Sequence, residues 1–344
     1  MNTRVTLHDI AREAGVSPAT VDRVLNNREG VRRRTREVVL DVATRLGYVS
    51  QADVPDIGRQ PTVRHRFVFL FPAGTNTFIK FLARQIEEQS LLRPELEVRI
   101  ETLEGFNPPS LAARLFELQG KTDGIGLIAQ DHPLVREAIR ALSFGGTPVV
   151  TIASDIQNVP RLAYVGIDNR QAGRLAGLLM ARFLMHRSAP VKVALFAGSL
   201  SYRGHEEREM GFRLILREEF PALQIVDVRE ILDDRQKAEV ETTALLDQHP
   251  DLAGIYSVGA GAYGIARALK GRGADRSVVL IGHEATEGNK QLLLDGSLDA
   301  VIDQNPRVEA REALNLLTAA ATKKPYRFIP PRLQVVFREN LPDD

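Results

Sequence analysis

The sequence predicts a chain in two parts: an N-terminal all-α helix-turn-helix head and an α/β body of two doubly wound parallel-sheet subdomains. Three observations carry that fold class. Between Leu7 and Leu46, apolar residues recur at helical spacing around the junction "AGVSP". From Phe67 onward, short apolar runs alternate with helical patterns, the rhythm of βαβ units. Eight such runs divide into two sets of four about "AYVGIDNRQAGRLAG" at 163–177.

In the head, Leu7, Ile10, Ala11 and Ala14 fall at i, i+3, i+4 and i+7 and give a first helix one apolar face. Gly15 suits its end, because the residue past a helix often takes positive φ. Ser17 caps a second helix, with Pro18 at the first position, where a missing N–H costs nothing. Val21, Val24 and Leu25 face inward, and Pro18, Ala19, Asp22, Arg23 and Asn26 face out. A third helix begins among Arg32, Arg33, Arg34 and Arg36, turns Val38, Val39, Val42 and Leu46 inward, and ends at Gly47. Two short helices with a third behind them make a helix-turn-helix module. Its slim second helix fits a major groove about 12 Å wide. Arg23 is placed to reach a guanine edge, and the later arginines, Arg32 and Arg36 among them, to meet phosphates. The plainer alternative is a three-helix head with solvated arginines; capping, spacing and charge all favour the module.

The net charge of +1 conceals an asymmetry. Residues 1–50 hold nine Arg against six Asp and Glu, and residues 51–66 hold three Arg against two Asp, so the remainder is slightly acidic. A basic head on an acidic body points to a polyanion partner. At 344 residues the chain is long enough for two or three domains. The expected division is a head at 1–50, a linker at 51–65 and a body at 66–344. With 44% apolar and 26% charged residues it reads as soluble and globular. No apolar run approaches the roughly 20 residues of a membrane helix. The start "MNTRVTLHDIAREAG" lacks a secretory apolar region, so a cytoplasmic protein is expected, with no membrane partner. The absence of cysteine excludes disulfides, thiolate zinc sites and cysteine nucleophiles. The histidines show no metal-ligand spacing, and neither metal nor cofactor is expected.

The body's runs are "FVFLF", "LEVRIETL", "GIGLIA" and "TPVVTIA", then "VKVALFAG", "LQIVDVRE", "AGIYSV" and "SVVLIG". Several are apolar throughout, as parallel strands covered on both faces should be. Two similar subdomains then face each other across a cleft, and ligands belong beyond the carboxyl ends of the strands. One turn complicates this. Gly259-x-Gly261-x-x-Gly264 follows an apolar run and opens a helix, and Glu284 stands 20 residues beyond Gly264. That is the arrangement of a dinucleotide-binding βαβ unit. It comes late, however, with strands of its subdomain before it and no evident hydride-transfer site. The N–H groups of this turn also offer a seat for an anionic substituent.

The stretch "VTLHDIAREAGVSPATVDRVLNNREGVRRRTREVVLDVATRLGYV" resembles the DNA-binding domain of the lactose-repressor (LacI/GalR) family, over nearly all of residues 5–49. The resemblance implies that Pro18, Ala19 and Arg23 read bases, and that Thr6, Ser17 and Thr20 touch phosphates. Two positions depart from the family. Asp22 stands where Ser is usual, either orienting Arg23 or accepting from a cytosine amino group. The linker "SQADVPDIGRQPTVRH", with Pro55, Gly58 and Pro61, does not suit the family's minor-groove hinge helix; Ile57 is its one evident wedge.

The body resembles the same family's sugar-sensing domain, itself similar to type I periplasmic binding proteins. That implies three crossings between subdomains, placed near 163–167, 295–300 and 324–332. The first subdomain is then about 66–164 plus 297–324, and the second about 165–296 plus 325–344. It also implies pocket residues just after strands: Asn76 and Phe78 in "PAGTNTFIKFL", Asp131 after "GLIAQ", Arg208 three residues before Gly211-Phe212, and Gln304 in "DAVIDQNP". Each has a plain alternative: Asn76 as helix cap, Asp131 as turn former, Arg208 as surface ion-pair partner, Gln304 as solvated loop. Arg203 and His205 are rim candidates. Where the family has "N-D-x-M-A-x-G", its ligand-binding Asp corresponds to Gly259. His283 and Glu284 either replace that contact or form a buried structural pair.

The reading that covers the whole chain is a non-enzymatic, homodimeric regulator binding pseudo-palindromic double-stranded DNA under control of a small polar effector. The effector is a sugar or, slightly ahead of a neutral one, a sugar acid or sugar phosphate. The alternatives are a sugar-binding module without gene control and, behind it, an NAD enzyme.

Overall fold

The computed structural model describes residues 5–26, 31–46, 48 and 64–342. The chain forms two compact units, Met1–Val63 and Arg64–Asp344. Gly47, Ile57 and the linker prolines lie outside the described residues.

In the head, α1 (Leu7–Ala14), α2 (Pro18–Leu25) and α3 (Arg33–Arg45) start and stop on local signals. Asp9 Oδ2 accepts from Thr6 N at 3.0 Å, Gly15 ends α1 at φ 63°, and Ser17 Oγ accepts from Thr20 N at 3.2 Å. Ile10, Ala11, Val21, Val24, Val39, Val42 and Ala43 form its core. Val38, expected inside, is 43% exposed. The inward set on α3 is Val39, Val42, Ala43 and Leu46, at i, i+3, i+4 and i+7. Val38 is rotated about 100° off that face.

The body holds two sheets. The first has strand order β2-β1-β3-β4-β5, from β1 (His65–Pro72), β2 (Leu96–Leu103), β3 (Gly124–Leu127), β4 (Val149–Ile152) and β5 (Ala163–Val165), all parallel. The second has order β11-β10-β9-β8-β6-β7, from β6 (Val191–Ala197), β7 (Leu223–Glu230), β8 (Leu252–Ser257), β9 (Val279–His283), β10 (Ala300–Asp303) and β11 (Gln334–Val336). Only the β10–β11 pair in it is antiparallel. Alternate residues of one strand enter different cores, because helices cover both faces. Phe67, Phe69 and Phe71 of β1 pack beside α4 (Thr77–Leu91) and α12 (Pro306–Thr322), while Val68 and Leu70 pack beside α5 (Pro108–Leu118) and α6 (Pro133–Phe144). On β6, Ala194 and Phe196 face α9 (Arg235–Gln248) and α10 (Ala262–Gly271), and Val193, Leu195 and Ala197 face α7 (Asn169–Phe183) and α8 (Arg203–Glu219). A shorter helix, α11 (Glu287–Leu294), follows β9.

The chain leaves the first sheet after β5, and Ile167 already belongs to the core of the second lobe. It returns later than the sequence suggested. β10 pairs with β9, so residues 300–303 belong to the second lobe and the crossing expected at 295–300 falls after Asp303. The register Val301↔Gly282 and Ile302↔His283 holds the strand there, and α12 alone then packs on the first sheet. The last crossing lies between Thr322 and Gln334.

Candidate functional site

Both sheets reverse strand order beside their first strand, and the crevices at those points meet in one cleft of about 1090 Å³, open mouth included. Its walls are the segments that follow β1 to β4 and β6 to β10. Of the eight body residues singled out in the sequence, Asn76, Phe78, Arg208, Gly259, His283, Glu284 and Gln304 line it. Asp131 does not. After β3 the chain runs on through Ile128, Ala129 and Gln130, and Asp131 is then held by Arg136 Nε at 2.6 Å. Its carboxylate is neutralised outside the cleft.

Arg208 organises the floor. It is 3% exposed, so the surface ion-pair alternative fails. Nε donates to Asn169 Oδ1 at 2.7 Å, and Nη1 donates to Val258 O at 2.9 Å and lies 3.5 Å from Glu284 Oε1. Nη2 has no protein partner among the described residues. Glu284 Oε1 also accepts from Gln304 Nε2 at 2.9 Å. Burial pushes the Glu284 carboxyl up to about 7, against the pull of Arg208. Glu284 sits at φ 64°, a conformation that costs a non-glycine residue about 1–3 kcal/mol and tends to mark sites where geometry matters. His283 and Glu284 do not pair with each other. The His283 ring bonds Tyr256 Oη at 2.7 Å, and burial holds its pKa well below the ordinary value, so it is neutral.

Asn76 caps a helix and also lines the cleft. Oδ1 caps α4 by accepting from Phe78 N at 3.0 Å, while Nδ2 crosses the cleft to Asp233 Oδ2 at 3.0 Å. Thr75 Oγ1 donates to Asp233 O at 2.7 Å beside it, and at the back Gly204 N donates to Ser154 Oγ at 3.2 Å. Tyr202, from the loop before α8, is 7% exposed in the first lobe's core and meets Phe106 edge-on at 5.5 Å. These contacts hold the two lobes closed on each other.

The glycine turn serves packing. A Cβ on Gly264 would lie 2.1 Å from Arg235 O, and one on Gly261 2.6 Å from Ile231 Cδ1. The seat expected there for an anionic substituent is filled from within, because Ala260 N donates to Asp233 Oδ1 at 3.1 Å. Asp233 went unremarked in the sequence. Its signal was faint: two consecutive acids before α9, of which Asp234 alone is needed as the cap, accepting from Lys237 N at 2.7 Å. His205, a rim candidate, lines the cleft with Asp233; burial lowers its pKa, with Asp233 pulling the other way. Arg203 pairs with Glu207 at 2.8 Å and is not part of the lining.

Beneath the floor, Glu309 is 0% exposed, and neither carboxylate oxygen has a partner among the described residues. Burial raises its pKa well above the ordinary value, and the nearby charges of Glu284 and Asp303 raise it further. The folded state therefore holds a proton that the unfolded chain releases near the ordinary carboxylate pKa. Stability is greatest at low pH and is lost as pH rises towards the folded value. Glu309→Gln supplies amide N–H donors in the same shape. The variant is expected to melt higher than wild type at about pH 8, with the gap closing towards about pH 5; Glu284 contributes the same slope to both. Parallel melting profiles across that range would exclude a buried proton on Glu309.

In the head, Pro18, Ala19, Arg23, Asn26 and Arg32 are exposed. Asn26 Nδ2 donates to Asp22 Oδ1 at 2.7 Å, Ser17 Oγ and Thr20 Oγ1 lie 2.9 Å apart, and the Thr6 hydroxyl donates to Asp9 Oδ2 at 2.6 Å. Arg36 is half-buried on the first turn of α3.

A two-lobed α/β body closed over a cleft with a charged floor and apolar walls, in one chain with a helix-turn-helix head, defines a binding-protein fold joined to a DNA-binding module. Residues 67–325 match the periplasmic binding protein domain family, and residues 6–51 match the family of bacterial regulatory proteins, lacI family. The chain belongs to the periplasmic binding protein domain family, and its head is a LacI-family domain. It shares 30% identity over 203 residues with Catabolite control protein A of Streptococcus mutans, covering 58% of this chain and 57% of that protein. With the Ribose operon repressor of Halalkalibacterium halodurans it shares 26% over 253 residues, 73% of this chain and 71% of the other. The chain thus spans little more than half the length of the first of these relatives. Such relatives are transcriptional regulators rather than enzymes. GanP, a glucose-galactose binding protein from Geobacillus stearothermophilus, has the same fold, with a TM-score of 0.73 at 22% identity over 81% of this chain and 99% of that one. Among the described residues no helix is long and apolar enough to cross a membrane.

Proposed function

We propose that the protein is a homodimeric transcriptional repressor whose heads bind a pseudo-palindromic operator, and whose body takes a small sugar or sugar derivative in its cleft. The observation that carries this reading is the union, in one chain, of a helix α2 that exposes Pro18, Ala19 and Arg23 with a cleft floored by the buried Arg208. In the cleft, Arg208 Nη2 and the side chains of Glu284 and Gln304 take effector hydroxyls. In the head, Arg23 reads a base, with Ser17, Thr20, Arg32 and Arg36 on phosphates. Effector binding shifts the population of closed bodies and thereby operator affinity, so the two sites are linked. A dimer follows because one small head makes too few contacts for operator affinity, and two half-sites a helical turn apart supply them. Working on DNA, the protein acts in the cytoplasm.

The test is titration of the full chain on the DNA upstream of its own gene. Arg23→Ala is expected to weaken specific binding about 30-fold or more, because a bidentate base contact worth ~1–3 kcal/mol is lost in each of the two half-sites, and to leave non-specific binding nearly intact. Wild-type affinity should fall steeply with salt, as phosphate contacts require. DNA that is not bound, or is bound equally by Arg23→Ala, overturns the reading in favour of a sugar-binding module without gene control.

A further inference from the structure

Two glycines from different strands make room for one carboxylate. Gly198, just past β6, would carry a Cβ 2.2 Å from Asp233 Oδ1. Gly259, just past β8, would carry one 2.9 Å from the same oxygen and 2.8 Å from His205 Cε1. No side chain fits either space, because Asp233 lies over both backbones. Leu232 and Asp233 reach that position with φ of 53° and 54°, the left-handed region that few non-glycine residues enter without cause. Helix α9 has its cap in Asp234 and does not need Asp233. A loop bent against its own preference, over two strand ends cleared of side chains, serves to put a carboxylate in the cleft.

That carboxylate accepts from Ala260 N in the second lobe and Asn76 Nδ2 in the first. A carboxylate has about four acceptor sites, so two donors leave room for a ligand. We propose that Asp233 is the acid that reads the effector, accepting from hydroxyls of a neutral polyol and excluding ligands that carry an anionic group at that end. The proposal rests on reading the cleft as the effector site. It explains Gly259: an acid in the turn after β8 would occupy the space that Asp233 fills from the other side. It also decides between effector classes. The amide of Ala260, in the turn just before α10, already faces an internal anion, and a phosphate or carboxylate placed there would meet Asp233 with little water between them, where like charges repel strongly. Of the two cations that line the cleft, Arg208 is offset by Glu284, and Arg235 is exposed with its guanidinium over the Tyr263 ring.

Calorimetric titration and thermal shift of the full chain with D-ribose, D-glucose, D-galactose, D-arabinose and D-fructose, beside D-gluconate and D-glucose 6-phosphate, test this. Wild type is expected to bind a neutral sugar of the panel and neither anion, a comparison that needs no variant. Asp233→Asn, of the same size, is expected to lose about tenfold to a hundredfold in affinity for that sugar and to narrow the discrimination against the anions. Preference of wild type for either anion overturns the proposal and leaves the effector reading intact. Undiminished sugar affinity in a folded Asp233→Asn does the same. Wild type binding no member of the panel overturns the effector reading, and the proposal with it.

Discussion

Arg208→Met is expected to remove sugar binding and to lower the body's melting temperature by about 5 °C. The side chain connects three segments that meet under the cleft: Asn169 at the start of α7, the carbonyl of Val258 after β8, and Glu284 after β9. Methionine fills much of the volume and makes none of these bonds. Two acceptors are then left buried without a donor, at about 1–3 kcal/mol each, and Glu284 loses its counter-charge. The Glu284 carboxyl, already pushed up to about 7, takes a proton and relieves part of that loss. About 3 kcal/mol remains, which corresponds to roughly 5 °C for a body of this size. Loss of the charge-assisted donors facing the cleft weakens a hydroxylated ligand by about 10- to 150-fold per bond. Arg208→Lys keeps the charge but cannot span three acceptors with fixed geometry, so it is expected to recover part of the stability and little of the affinity. Calorimetry of the three proteins with the sugar that wild type binds decides the matter. A methionine variant that melts with wild type and binds equally would show that the network carries neither property.

What the sequence made legible is what local chemistry encodes. The caps at Ser17 and Gly15 and the apolar runs of β1, β2, β6 and β8 lie where they were read, because each depends on neighbours a few residues away. The three-residue strands β5 and β11 are too short to show a period. Val38 was misplaced because it was chosen for hydrophobicity, where the phase of the helix selects Ala43. Within the site, Asn76, Glu284 and Gln304 follow strand ends, where an α/β fold builds its cleft, whereas Arg208 lies within α8 and was implied by the family resemblance. Asp131 satisfies the same rule and fails, since three further residues carry it past the rim to Arg136. The late crossing was hidden because "DAVID" reads equally well as a strand of either lobe; pairing with β9 decides it. Asp233 is the clearest case of information absent from any local window. Its role depends on two glycines, Gly198 and Gly259, that come from other strands and make sense only once the sheet is assembled.

Gly173→Ala is expected to destabilise the second lobe by about 2–3 kcal/mol and to weaken sugar binding, although residue 173 does not touch the cleft. Helices α7 and α8 pack backbone to backbone. A Cβ on Gly173 would lie 1.9 Å from Arg208 O, and one on Gly211 2.1 Å from Arg170 O. Gly177 completes the contact, with a Cβ 2.4 Å from Ile215 Cγ2. At Gly177 a side chain can turn aside, but at Gly173 and Gly211 the obstacle is main chain, and relief requires the helices to separate. Helix propensity works in the opposite direction, favouring alanine over glycine by about 1 kcal/mol, so the sign of the result identifies which effect wins. Gly271→Ala provides the reference: that glycine closes α10 with nothing within 4 Å of its Cβ, and the substitution is expected to be neutral or stabilising. The carbonyl that alanine at 173 would strike belongs to Arg208 itself. Separation of the helices therefore draws the guanidinium away from Val258 O and Glu284, and affinity falls together with stability. Equal melting temperatures for Gly173→Ala and Gly271→Ala would mean that the helices can part without loss. A destabilised Gly173→Ala with unaltered sugar affinity would mean that Arg208 keeps its place when its backbone moves.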